Sequence, residues 1–185
     1  MKDIIKICDV NTVDLNQYEL YTFPYFRSKE KKNKMEKYII YYNDTEFVKI
    51  YKMPNTNLYE FINDNYDLFK LLCPLLTHLI YEGSTIKGYI IRRGKDLGKN
   101  KKWGCETSDD YQLFLDSLEA MKINLITLIK KKYYYVDIKP KNIILLDGVF
   151  SFIDIENFVK LDIKDKFYSK YLNKDHWYCK EINRK

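Results

Sequence analysis

Residues 133–158 read YYYVDIKPKNIILLDGVFSFIDIENF, and the rest of the chain is organised around this stretch. Asp137 is followed by Lys139 two positions on and by Asn142 five positions on. Two apolar runs then follow, 143–146 and 149–153, with Asp147-Gly148 between them and Asp154 after the second. Asp-Gly between apolar runs signals a two-residue hairpin turn, because both central residues of a type I′ turn need positive φ. The pattern predicts a rigid hairpin with polar groups mounted at its open end.

The spacing D-x-K-P-x-N, then a hairpin and a second Asp, resembles the catalytic and metal-binding loops of the protein-kinase-like superfamily. Phosphoryl transfer asks the protein mainly for positioning and charge neutralisation. An acceptor hydroxyl needs a carboxylate for its proton, and magnesium needs hard oxygen ligands. The resemblance implies that Asp137 is the base and that Lys139 neutralises the transferred phosphate. It also implies that Asn142 and Asp154 hold magnesium or manganese, with ATP as the donor.

Upstream, 19–26, 37–42 and 46–52 read as strands. The turn 27–34 between the first two is charged and holds no Gly, whereas the family has a glycine-rich turn there. The strand FVKIYK at 47–52 is similar to the one whose Lys contacts the α and β phosphates, which points to Lys49, with Lys52 as the second candidate. Leu58, Phe61, Ile62, Leu68, Phe69 and Leu72 recur at helical spacing, so 55–72 reads as an amphipathic helix. By its place in the order it resembles the regulatory helix of the kinase small lobe, with Glu60 as partner of Lys49. Asn57 with Glu60 also spells a capping box, and Asp64 is the substitute acid. Strands at 75–81 and 85–92 complete a five-stranded antiparallel sheet. Residues 92–97 would be the hinge, and 98–104 a loop. Ser108 then opens a long helix whose stripe Phe114, Leu115, Leu118, Met121, Leu125, Leu128 and Ile129 reads as core.

Composition narrows the field. At 185 residues with 46% hydrophobic content the chain fits one domain or two small lobes. Cys8, Cys73, Cys105 and Cys179 are too scattered for a zinc or redox motif. With no signal peptide, a reducing, cytoplasmic location is expected, that of a host cell if the gene belongs to a virus or pathogen. The most apolar stretch, 71–81, is too short to span a bilayer, so no membrane association is expected. The net charge of +6 is spread along the chain and mixed with acids. A solvated surface accounts for it better than a nucleic-acid interface does, since no reading motif is present.

The chain also departs from the family. Tyr135-Val136-Asp137 stands for His-Arg-Asp, so no Arg beside the base receives an activation-loop phosphate. Asp154-Ile155-Glu156 stands for Asp-Phe-Gly, and Glu156 resembles the acidic residue of kinases related to choline and aminoglycoside phosphotransferases. Downstream there is no Ala-Pro-Glu and little length for a peptide-binding platform. Residues 158–185 would form one or two helices under the catalytic loop, anchored by Phe167, Tyr168, Tyr171, Leu172 and Trp177. This resembles minimal effector kinases that depend on an activating partner protein. The resulting expectation is an α+β, two-lobed kinase-like domain over 1–185, with a five-stranded small lobe at 1–93 and a shortened, mainly helical large lobe at 94–185. Its expected activity is ATP- and Mg2+-dependent transfer to a protein Ser or Thr. A small-molecule kinase and a partner-binding pseudokinase are the alternatives.

Overall fold

Tyr, Ile and Val dominate the runs that the alternation marks as strands, and residues of this kind suit a pleated, half-buried surface. In the computed structural model, which describes residues 5–21, 37–53, 55–96, 108–138 and 140–160, they form a mixed α/β structure. The chain divides into two units, 1–59 with 75–93, and 60–74 with 94–185.

The first unit is built on one six-stranded sheet. Its strands are β1 (Lys6–Asp9), β2 (Glu19–Leu20), β3 (Tyr38–Tyr42), β4 (Glu46–Tyr51), β5 (Leu76–Glu82) and β6 (Thr85–Arg92), in the order β1-β5-β6-β4-β3-β2. The five expected strands are present, but a sixth, β1, joins the edge and runs parallel to β5. The expectation of five antiparallel strands is therefore corrected. A four-residue edge strand has too few positions to show a period, and its partner lies about seventy residues away, with Lys6 opposite His78. Of the expected strand 19–26, Glu19 and Leu20 pair with Tyr42 and Tyr41, and the Tyr21 amide continues the ladder to Ile40 O at 2.9 Å. Residues 22–26 and the charged turn 27–34 lie outside the described residues.

Between β1 and β2 the chain crosses one face of this sheet. Asp9 and Asp14 each cap a short 3-10 turn by accepting from the amide two residues on. Val10, Val13, Leu15 and Tyr18 thereby pack against Val48, Ile80 and Ile90. Side chains alternate along a strand, so Phe47, Lys49 and Tyr51 of β4 take the opposite face. Gly88 of β6 makes the close approach of β6 to β4 possible: a Cβ there would lie 2.2 Å from the main-chain oxygen of Lys49.

Helix α1 (Thr56–Leu72) follows β4. Its start is capped by Asn55, whose Oδ1 accepts from the Leu58 amide at 3.0 Å. The cap is thus Asn55, and the side chain of Asn57, on which the expected capping box rests, lies outside the described residues. All six residues of the expected stripe, Leu58, Phe61, Ile62, Leu68, Phe69 and Leu72, are buried. A kink falls at Asn65, where φ is −139° and the side-chain amide turns back to Phe61 O at 3.2 Å.

The second unit takes the helix from Glu60 onward and adds β7 (Lys95–Asp96), α2 (Ser108–Lys130), β8 (Tyr133–Tyr135), β9 (Ile143–Leu146), β10 (Val149–Phe152) and β11 (Phe158–Lys160). Within the stretch 92–97, expected to be a hinge, Lys95 and Asp96 pair as β7 with β9, Lys95 opposite Leu145. The hairpin forms in the expected register, Val149 opposite Leu146. Asp147 and Gly148 have φ of 51° and 75°, as the type I′ turn demands. Ser117 of α2 donates to Gly148 O at 2.9 Å, and Phe114 meets Phe150 edge to face at 5.0 Å, which seats the hairpin on the helix. Met121, Leu125, Leu128 and Ile129 are buried, while Leu115 and Leu118 are 37% and 42% exposed. The apolar stripe of α2 is thus core only in its C-terminal half.

An aromatic cluster holds this unit together. Phe61 lies parallel to Phe158 at 4.5 Å, and Phe69, Tyr135 and Phe152 meet Phe158 edge-on at 6.1, 4.8 and 6.0 Å. Full burial of each such side chain contributes about 1.5–3 kcal/mol.

Candidate active site

The pairing of β8 with β11, Phe158 opposite Tyr135, brings the two ends of the 133–158 stretch side by side. Asp137 follows β8, and Asp154 sits between β10 and β11. Asn142, 3% exposed, is the link between them. Its amide nitrogen donates to the main-chain oxygen of Asp137 at 2.8 Å and to Asp137 Oδ2 at 2.9 Å. Its own main-chain oxygen accepts from the Ile153 amide at 3.0 Å, one residue before Asp154. A buried amide with such partners is held in one orientation. Because the nitrogen faces Asp137, Oδ1 is the Asn142 atom suited to a cation.

Asp154 adopts the left-handed conformation, with φ 53° and ψ 52°, and its side chain does not cap the 3-10 turn that follows. This backbone costs a non-glycine residue about 1–2 kcal/mol, and the surrounding structure must hold it. The Asn157 amide closes the turn on Asp154 O at 2.9 Å, and the Val136 amide donates to Asn157 O at 3.0 Å. Tyr135, fully buried, donates its hydroxyl to Ile153 O at 2.6 Å. Burial pushes its phenol well above the usual range, and the nearby charge of Asp154 adds to the shift. Glu156 is half-buried in the same turn.

Among the described residues no group of three or more His, Cys, Asp or Glu side chains gathers in a way that would hold a metal. The expected set is different: one carboxylate and one amide oxygen. It fits magnesium, which takes hard oxygens, uses one or two carboxylates, and fills its remaining positions with substrate phosphates and water.

Lys49 belongs to the first unit. It is 2% exposed, and its ammonium stands 4.0 Å from the ring centre of Tyr38, 5.9 Å from that of Tyr89 and 6.0 Å from that of Tyr51. A Lys this buried is rare, and aromatic faces offset part of its desolvation. The second candidate, Lys52, is exposed after β4. Glu60 is an exposed residue of α1 in the second unit. The substitute acid, Asp64, is engaged within that unit. It accepts from the Tyr133 hydroxyl at 2.5 Å, and the Lys160 ammonium stands 3.9 Å away. Burial and this carboxylate push the Tyr133 phenol up to about 12. Lys139 lies outside the described residues, as do 98–104 and the C-terminal segment after Lys160.

Two features of the site escaped the sequence reading. Three consecutive tyrosines show no alternation, so β8 and the role of Tyr135 left no periodic signal. The Tyr133–Asp64 bond joins residues 69 apart, and nothing local announces it. His78 lies in β5 beside the Thr77 hydroxyl at 3.0 Å, and burial lowers its pKa.

No protein-family model matches the chain, and no curated protein matches its sequence. Among solved structures it is similar to a twitchin kinase fragment from C. elegans, described as an autoregulated protein kinase with immunoglobulin domains. The identity is 14% and the TM-score 0.40, over 87% of this chain and 36% of that one. The chain thus spans about a third of that structure's length, and a likeness this loose carries no weight for fold or activity. No described helix is long and apolar enough to cross a membrane.

Proposed function

We propose that the chain is an ATP- and magnesium-dependent phosphotransferase with a reduced kinase-like fold, and that its acceptor is a Ser or Thr hydroxyl of a protein. The observation that carries this reading is the bridging role of Asn142, which ties the Asp137 carboxylate to the strand end that presents Asp154. Two carboxylates with different partners at one hairpin are what a base and a metal ligand require.

In this reading the Asp137 carboxylate takes the proton of the acceptor hydroxyl, and the Asn142 amide keeps that carboxylate oriented. Asn142 Oδ1 and Asp154 hold the metal, which when bound supplies neutralisation of the phosphate charge. Lys139 meets the transferred phosphate. Lys49, with Glu60 as its acid, meets the α and β phosphates; it is held inside the sheet among tyrosines, whereas Lys52 is exposed. Lys49 is preferred to Lys52 on that ground, and Glu60 to Asp64 because Asp64 is already engaged by Tyr133. An activating partner protein belongs to the same proposal.

The test is magnesium-dependent ATP binding and phosphate transfer by purified protein, with Asp154→Ala alongside and with proteins, amino alcohols and sugars offered as acceptors. Transfer to protein that vanishes in the variant supports the reading. Transfer only to small hydroxyl compounds moves it to a small-molecule kinase, and the absence of any nucleotide binding moves it to a pseudokinase. Normal turnover by Asp154→Ala sinks the metal role.

A further inference from the structure

We infer that Tyr135 is a positioning residue: its hydroxyl sets the left-handed backbone of Asp154 and so aims that carboxylate. The use of that carboxylate as a metal ligand rests on the function proposed above; the control of its backbone does not.

The argument begins with the peptide groups around Asp154. Both polar groups of Ile153 are engaged by the segment that carries Asp137. Its amide donates to Asn142 O at 3.0 Å, and its carbonyl accepts from the Tyr135 hydroxyl at 2.6 Å. On the other side, the Asn157 amide closes on Asp154 O, and Asn157 O accepts from the Val136 amide. Asp154 is thus gripped from both flanks at a φ of 53°, a conformation its own side chain does not cap. Of these restraints only the Tyr135 bond depends on a side chain donating to the peptide immediately before Asp154.

The ring of Tyr135 is fixed independently of its hydroxyl. It packs at 4.2 Å from Phe152 and 4.8 Å from Phe158, the strand residues that flank the turn, and it has no exposed surface. Packing would therefore be equally served by Phe. A buried phenol at this place needs an acceptor, and the carbonyl that enters the strained residue accepts from it, while the Asn157 side chain hydrogen-bonds the same hydroxyl from the far side of the turn.

Tyr135→Phe separates the two roles, since it keeps the ring and removes the hydroxyl with its bonds to Ile153 O and to the Asn157 side chain. Tyr134→Phe, which deletes the neighbouring buried hydroxyl, is the packing control. Amide hydrogen exchange in the ligand-free protein is read at Ile153 and Asn157 and referred to the amides of α2. The expected result is exchange faster by about tenfold at both positions in Tyr135→Phe, the equivalent of one net hydrogen bond, with little change in Tyr134→Phe. In transfer assays the magnesium concentration for half-maximal rate rises severalfold while the KM for acceptor stays put. Unchanged exchange at Ile153 and Asn157, or an equal rise in both variants, overturns the inference. Local loosening in a protein that never transfers phosphate supports the control of Asp154 by Tyr135 and removes the phosphotransfer reading instead.

Discussion

Lys49 and Asn142 are both polar and almost fully buried, at 2% and 3% exposure, yet they are held in different ways. Asn142 is fixed by partners five residues away in sequence, through an amide that can make only a few well-directed bonds. Lys49 is placed by strand register, opposite Ile40 on one side and Tyr89 on the other, among the rings of three strands. The first region is sensitive to single polar atoms, and the second to the spacing of whole strands. Substitutions at the loop should therefore remove function with little loss of fold, and substitutions in the sheet should do the reverse.

The largest effect tests the loop. Asp137→Ala and Asp154→Ala should each reduce phosphate transfer by about 10²–10⁴-fold, the range for loss of a general base or of a fixed charge stabiliser. The thermal midpoint should change little; a variant that loses transfer only because it unfolds would erase the contrast. Next comes the core beneath the loop. Phe158→Ala removes a fully buried ring stacked on Phe61, and unfolding by denaturant should show a loss of about 3–5 kcal/mol.

The sheet is tested by Gly88→Ala. The new methyl would meet the Lys49 main-chain oxygen, which cannot move without its strand, and overpacking of this kind costs about 1–3 kcal/mol. Denaturant unfolding, together with quenching of tyrosine fluorescence, should report a displaced β4; an unperturbed variant would mean that register does not place Lys49. The segment crossing the other face is tested by Leu15→Ala. Leu15 is only partly buried, so the loss should fall near or below the low end of the roughly 2–5 kcal/mol range for buried leucines.

The smallest effect is a pH dependence. Tyr18 and Tyr133 are each pushed up to about 12 from an ordinary 10. Burial leads in both cases, followed by a hydrogen bond to Glu46 and to Asp64 respectively. A raised folded-state pKa gives stability that is fully present below the unfolded value. Between pH 10 and 12 the unfolded chain releases these protons while the folded chain keeps them, so stability falls across that window. Urea midpoints measured over this range should decline less steeply in Tyr133→Phe and in Tyr18→Phe.

What could be read without a structure follows the range of the interactions involved. The hairpin and its turn come from local rules: Asp-Gly accepts positive φ, and short continuous apolar runs stand on either side of it. The stripe of α1 is a property of helical spacing, and its six residues are buried as that spacing requires. Asp137 and Asn142 became candidates through the family resemblance of their spacing, and the bond between them joins residues only five positions apart.

The sequence by itself determined the hairpin at 143–152, the five main strands and both helices, and it put Asp137, Asn142 and Asp154 close to that hairpin. Only the tertiary structure decided that β1 adds a sixth, parallel strand, that Asn55 caps α1, and that α2 buries about half of its stripe. It alone decided that Asp64 belongs to Tyr133 and Lys160, and that Tyr135 grips the peptide before Asp154. The physical reason is common to these cases. Each depends on which of several acceptable partners arrives from far along the chain, and residue type and spacing carry no record of that choice.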